Sequence, residues 1–353
     1  MIPPSKIWLN RIFYCETVNH CKPCAMEVVI LLLPGAPASV ITGLCEFFEV
    51  AGLDLNTRRR SGLCRVRTLA LQSEPVALHG KVQIIPDLVG RCSEADVVIV
   101  PAIGPNVKNV KRRFSLEIEW LKEVASQGTR IASVCSGAFV LAATGLLHKK
   151  SATTHWMFAP LFRRMFPSIS LDIDKLVIDN GQFLTSGGSN AFYDLGLHIL
   201  EQFLGREIAL QCAKHFLLDT DRISQTPFMM FSVQKHHGDE SVAAAQSILE
   251  KDFSSSLSMD DVAQRVGLSS RSFKRRFKNA TGDPPSTYLQ RLRVEYAKRR
   301  LEEGDDSVEE ISYAVGYENV GFFRLLFKRY AGSTPLEHRK KFSVHSKLGE
   351  KKS

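Results

Sequence analysis

Residues 131–147 read IASVCSGAFVLAATGLL. A short apolar run meets a lone cysteine, Cys135, then Ser-Gly, then an Ala/Leu-rich stretch of helical character. Parsed this way the segment is a buried strand, a tight turn and a helix, with a thiol at the turn. Three roles are open to that thiol: catalytic nucleophile, rim of a binding pocket, or small core residue. Cysteine is among the most buried residue types, and such a turn needs a small residue whatever its chemistry.

The same alternation extends outward over residues 26–205. MEVVILLLPG, ADVVIVPAIG, RIASVCSG and GQFLTSGG each read as a buried strand ending in a Gly-bearing loop. GLCEFFEVAG, SLEIEWLKEVASQG, GAFVLAATGLL and NAFYDLGLHILEQFLG between them read as helices. Alternating strand and helix predicts an α/β unit, a parallel sheet with helices on both faces. Ligands of such sheets sit at the carboxyl ends of the strands. A thiol at a helix N-terminus there is expected to have a lowered pKa. Backbone N–H groups of Ser136 and of the loop Ala102–Gly104 are expected to cradle an anion or a carbonyl oxygen.

Bulk properties narrow the class. The chain has 353 residues, 44% hydrophobic and 24% charged, enough for two ordinary globular domains. No apolar run approaches the ~20 residues needed to span a bilayer, and the first residues lack the apolar middle of a secretory signal, so a cytoplasmic protein with no membrane partner is expected. A formal net charge of +9 favours a polyanionic partner. Eight cysteines fall at 15, 21, 24, 45, 64, 92, 135 and 212. In a reducing compartment most are expected as free buried thiols. Cys21 and Cys24 have the spacing of half a zinc site, but no second pair matches them. No metal and no cofactor is expected.

After about residue 206 the strand signals vanish and the last third repeats. Ser258, Asp261, Val262, Val266 and Gly267 match Ser307, Glu310, Ile311, Val315 and Gly316 at an offset of 49. Phe273, Phe277, Lys278, Gly282 and Pro285 match Phe323, Phe327, Lys328, Gly332 and Pro335 at an offset of 50. Each copy begins with a Ser cap and an acid three residues on, a capping box. An apolar stripe, a Gly turn and a second helix follow, which is helix-turn-helix. In the first copy Arg271, Lys274 and Arg275 share one face of the second helix, beside Ser270 at its start, while Phe273 and Phe277 face inward. A short helix with a basic outer face can enter a major groove. The equivalent face of the second copy carries Asn319, Val320, Gly321 and Arg324, far less charge, so fewer base contacts, or apolar ones to thymine methyls, are expected there. Between the copies Leu289, Leu292 and Tyr296 form the apolar stripe of one long helix, with Arg291, Arg293, Arg299 and Arg300 around it. The expected division is an extension over 1–25, an α/β domain over 26–230, a linker over 231–240, an all-α domain over 241–343 and a basic tail over 344–353.

On these residues the last third resembles the AraC-type DNA-binding domain. VAQRVGLSSRSFKRRFKNATGDPPSTYLQRLRVEYAKRRL and VEEISYAVGYENVGFFRLLFKRYAGSTPLEHRKKF carry both of its helix-turn-helix units. The resemblance implies seven helices, two recognition helices in successive major grooves of double-stranded DNA, and a promoter-binding role, most often activation. One departure stands out: the second recognition helix often carries Arg where this chain has Leu325.

VVILLLPG, DVVIVPAIG, IASVCSGAFVLAATGLL, SATTHW and LTSGGSNAFYDLGLHILEQFLG resemble the ThiJ/PfpI branch of the class I glutamine amidotransferase-like superfamily. The resemblance implies a flavodoxin-like fold, Cys135 on a nucleophile elbow and His155 in the usual histidine place. Hydrolases of that superfamily also use a carboxylate five residues beyond the glycine of the first loop. Counting from Gly35 gives Val40, and GAPASVITG holds no acid. That favours a non-catalytic pocket formed by Cys135, Ser136, His155, Gly187, Gly188 and Ser189 over a cysteine hydrolase or a thiol redox sensor. Trp156 is read as core. An amidotransferase-like domain followed by an AraC-type domain resembles the GlxA-like transcriptional regulators. This implies a homodimer acting with RNA polymerase under control of a small effector such as an amino acid or quaternary amine.

Overall fold

Val28, Val29, Ile30, Leu31 and Leu33 have no solvent exposure. An unbroken apolar run of this kind needs cover on both faces, which a central parallel strand receives. In the computed structural model, which describes residues 26–343 apart from 55–58, 73, 92–94, 232–234 and 236, Met26–Leu31 is that strand. The sheet contains β1 (Met26–Leu31), β2 (Cys64–Ala70), β3 (Leu88–Val89), β4 (Val97–Val100), β5 (Arg130–Val134), β6 (Val177–Asp179) and β7 (Phe183–Ser186). Their order is β6-β7-β5-β4-β1-β2-β3, with β6 antiparallel to β7 and every other neighbour parallel. The four expected strands are β1, β4, β5 and β7. β2 was not expected, because Arg65 and Arg67 interrupt its apolar pattern; the carboxylate of Glu27 on β1 lies 2.5 Å from Arg67 and 3.9 Å from Arg65.

The helices of this unit include α1 (Ala38–Ala51), α2 (Ser115–Ser126), α3 (Ala138–Ala143), α4 (Ala191–Leu204) and α5 (Arg206–His215). The helix expected over 137–147 is shorter. Cys135–Gly137 form one 3-10 turn, α3 ends at Ala143, and Gly145 at φ 83° turns the chain away. The N-terminal extension with Cys21 and Cys24, and the tail 344–353, lie outside the described residues.

A second compact unit begins at Ser224, after a first that ends at Ile223. This boundary falls earlier than residue 230 because the segment after it is seated on the second unit. Phe228 packs edge-on against Phe342, and Phe231 edge-on against Tyr288. The Lys298 ammonium donates to the Met229 carbonyl at 2.7 Å, and the Phe231 N–H to Glu295 at 3.1 Å. Seven α-helices follow among the described residues: α6 (Glu240–Lys251), α7 (Met259–Arg265), α8 (Ser270–Thr281), α9 (Pro285–Glu303), α10 (Val308–Ala314), α11 (Val320–Ala331) and α12 (Pro335–Phe342).

Each helix-turn-helix copy has its own core. Val242, Leu249, Val262, Phe273, Phe277 and Tyr288 fill the first; Val294, Leu301, Ile311, Val315, Phe323 and Phe327 fill the second. Helix α9 contributes to both. Of its basic residues, Arg293 turns inward. It is 9% exposed, donates to the carbonyls of Phe253, Ser255 and Gly316, and lies over the Tyr317 ring. Arg291 pairs with Asp283 and Arg300 with Asp306. Only one of the two expected capping boxes closes. Ser307 and Glu310 cap α10 reciprocally, whereas Ser258 accepts from Asp260 and Asp261 with no return bond from Asp261. The shorter Asp side chain does not reach back as Glu does.

Candidate functional site

The elbow is built by backbone constraint. Cys135 has φ 54°, a left-handed value that costs a non-glycine residue about 1–3 kcal/mol. Two residues on, Gly137 runs against the end of β4: a Cβ there would lie 2.4 Å from the Pro101 carbonyl oxygen. Only glycine fits that approach. The Thr154 hydroxyl donates to the Cys135 carbonyl at 2.8 Å, and the Ile103 N–H donates to the Ser136 hydroxyl at 3.0 Å. These bonds pin the elbow between the loops after β4 and before the Trp156 turn.

A cavity of about 200 Å³ opens over it. Cys135, Ser136, His155 and Ser189 all line it, so residues far apart in the chain meet there. Gly187 and Gly188 back the wall instead. Gly187 is buried, with its N–H on the Leu176 carbonyl, and a Cβ on Gly188 would sit 3.4 Å from the His155 ring. Pro37, Pro105, Met157 and Phe158 supply apolar wall that the sequence patterns did not single out. No carboxylate lines the cavity among the described residues, and Val40, in the family's acid position, is 1% exposed. Trp156 is half-buried with its ring 5.1 Å from that of His155.

The electrostatics correct the expected thiolate. Burial pushes the Cys135 thiol up, against hydrogen bonds from the Ser136 N–H and from the Ser189 and Ser136 hydroxyls. Desolvation outweighs the turn's N–H groups because the thiol is 5% exposed and α3 is only six residues long. Burial also lowers the pKa of His155. Its Nδ1 accepts from the Met157 N–H at 3.1 Å, so the neutral ring carries its proton on Nε2. A neutral thiol beside a neutral imidazole that presents a donor is not an activated nucleophile and base. Two N–H groups of the expected anion cradle are already engaged, that of Ser136 with the sulfur and that of Ile103 with Ser136.

The second candidate surface belongs to the C-terminal unit. On α8, Arg271, Lys274 and Arg275 are exposed, while Phe273 and Phe277 are fully buried. Ser270 is half-buried with its hydroxyl on Asp260. Arg276, the next cation, is held by Asp239 through bonds of 2.9 and 2.7 Å and anchors α8 to the start of α6. On α11, Asn319 is the N-cap and accepts from the Phe322 N–H at 2.9 Å; Val320 is half-buried; Gly321 and Arg324 are exposed. Phe322, unremarked in the sequence, is 48% exposed beside Leu325 at 71%. Aligning the two helices at their offset of 50 would have found it, opposite Ser272. Among the described residues, no cluster of His, Cys, Asp and Glu is placed to hold a metal, and no helix is long and apolar enough to cross a membrane.

Comparison with known proteins agrees with this division. The DJ-1/PfpI family model matches residues 27–202, and a helix-turn-helix domain model matches residues 262–341. The chain is 26% identical over 312 residues to the HTH-type transcriptional regulator CdhR of Pseudomonas aeruginosa, covering 88% of this chain and 90% of that one. It is 28% identical over 216 residues to the HTH-type transcriptional regulator GlxA of Rhizobium meliloti, 61% of this chain and 66% of that one. The crystal structure of Drosophila melanogaster DJ-1beta is 26% identical, with a TM-score of 0.47, over 55% of this chain and 99% of that one.

Proposed function

We propose how a DNA-binding transcription regulator that joins a DJ-1/PfpI domain to an AraC-type helix-turn-helix domain is controlled: a small metabolite, not a reaction, occupies the Cys135 cavity and changes promoter occupancy. The observation that carries this reading is the cavity itself. It is about 200 Å³, walled by Pro37, Met157 and Phe158, with hydroxyl, thiol and imidazole groups and, among the described residues, no carboxylate. Such a wall can orient a small polar molecule but lacks the third group that would activate the thiol. The relatives matched over most of their length are transcription regulators, and this chain is a regulator rather than an enzyme.

In the proposed mechanism the effector binds one state of a cytoplasmic homodimer better than another, and the population shifts by that difference in affinity. Arg271, Lys274 and Arg275 of α8 contact bases and phosphates of the operator, and α11 contacts a second segment. The outcome is activation through RNA polymerase. The effector is expected to be a small nitrogenous molecule, an amino acid or quaternary amine, neither of which needs a carboxylate-activated thiol.

The test begins with genome-wide mapping of DNA bound by the full-length chain, followed by titration of metabolites from the neighbouring genes. Ser189, exposed at the rim, is replaced by Trp to fill the cavity. Loss of effector response with unchanged operator binding in its absence is expected; a full response from Ser189→Trp overturns the pocket reading.

A further inference from the structure

Helices α8 and α11 are the same object twice. Both are 12 residues long, both have a side-chain N-cap, at Ser269 and Asn319, and both end on a left-handed glycine, Gly282 and Gly332. They therefore superpose residue for residue at the offset of 50, without the ambiguity of a turn insertion. In that register Lys274 matches Arg324 and Lys278 matches Lys328, so the flanking cations persist. Arg271 is replaced by Gly321, Ser272 by Phe322 and Arg275 by Leu325.

The replaced positions are not core. Leu325 is 71% exposed and Phe322 48%, while Phe323, Leu326 and Phe327 on the opposite side are buried. A large apolar residue on a helix face bordered by cations gains nothing from water and cannot pair with phosphate. It fits a surface that is anionic at its edges and apolar at its centre. The major groove of duplex DNA has that form where thymines project their 5-methyl groups between two phosphate rows.

We propose that α11 reads thymine methyls through Leu325 and Phe322, whereas α8 reads hydrogen-bonding base edges through Arg271 and Arg275. The stretch of operator under one protomer is thus chemically asymmetric, with one half-site specified by guanine-type acceptors and the other by a thymine-bearing step. The absence of a side chain at Gly321 lets the α11 backbone approach the base step. Arg324 and Lys328 hold the helix on the phosphates. This assignment rests on the DNA-binding reading above and sharpens it to the kind of base each helix recognises.

The experiment uses the full-length chain. A preferred duplex is selected from a random library, and the half-site whose base preference changes in Arg271→Ala is assigned to α8. Deoxyuridine then replaces thymidine in each half-site, removing only the methyl groups. Affinity is expected to fall about fourfold per methyl contacted, the scale of one buried methylene, in the α11 half-site alone. In Leu325→Ala, whose exposed position leaves the fold intact, that sensitivity disappears. Leu325→Arg is expected to shift the preference of the same half-site toward guanine. A selected duplex that tolerates deoxyuridine throughout overturns the proposal while leaving DNA recognition in place. Loss of transcription without loss of operator affinity in Leu325→Ala also overturns it, making the face a protein contact. If selection yields no preferred duplex, the DNA-binding reading fails and takes the proposal with it.

Discussion

Cys135 combines two properties that rarely serve an enzyme together: a strained backbone and a thiol held in its neutral form. The left-handed φ aims the sulfur into the cavity, while burial disfavours its charge. Iodoacetamide at neutral pH is therefore expected to label Cys135 more slowly than a free thiol peptide, with the rate rising only above the ordinary thiol range. Mass spectrometry of the peptide carrying Cys135 checks this, and fast labelling at pH 7 would establish a thiolate. Two half-buried thiols have a consequence for stability. Burial pushes Cys64 up to about 12 and Cys45 to about 11, from an ordinary 9.0. As pH rises past about 9 the unfolded chain loses these protons first, so it binds fewer than the folded chain and stability falls. Urea unfolding should show that fall, and Cys64→Ala should flatten it; an unchanged slope would mean that Cys64 ionises equally in both states.

At the scale of elements, α9 is the part on which the C-terminal unit depends. It threads two separate cores, and Arg293 ties it to three carbonyls in the segments before α7 and after α10. Arg293→Met keeps the bulk but orphans those carbonyls, and is expected to cost roughly 3 kcal/mol. Thermal unfolding would reveal a lowered transition for the second unit. The helix caps give a finer comparison. Ser258→Ala is expected to cost about 1 kcal/mol, and Ser307→Ala more, because only the latter breaks a reciprocal box. Equal losses measured by urea titration would contradict the difference in geometry.

These elements also mark where sequence reading reached its limit. The runs of four or more apolar residues in β1 and β4 were legible because burial on both faces favours them, whereas β5 and β7, which bury Ser133, Thr185 and Ser186, were legible from shorter apolar runs closing on Gly-bearing loops. Periodicity placed Phe273 and Phe277 inside, and the repeat carries the same placement to Phe323 and Phe327. β2 was missed because Arg65 and Arg67 are satisfied by Glu27, 38 and 40 residues away in sequence, a partner no local pattern displays. The identities of Cys135 and His155 as neighbours were legible, but their protonation was not, since it depends on the depth of a cavity that Pro37, Pro105 and Met157 close from other loops. An apolar outer face on α11 was legible, but not all of the residues that carry it: exposure separates Phe322, with Leu325, from the core.

At the scale of the whole molecule, each unit holds its own side of the 223/224 boundary. The first still holds Ile223, whose carbonyl accepts from the Leu176 N–H at 3.1 Å, and Arg222, which bonds Asp194. The second already seats Thr226 and Pro227 against Gly332, near enough that a Cβ there would meet them at 3.0 and 3.1 Å. Inserting ten Gly and Ser residues after Ile223 is expected to leave operator affinity within twofold and to weaken the effector response at least tenfold in a reporter assay. A response of full strength would mean that the signal does not pass through this connection. The arm over Ser224–Phe231 has a further meaning for ancestry and for engineering. It makes the reading unit a portable part whose natural cut lies at 223/224, inside what sequence alone marks as the sensor. A chimaera that takes its reading half from 224 onward inherits a finished surface, whereas one cut at 240 leaves Tyr288 and Phe342 bare.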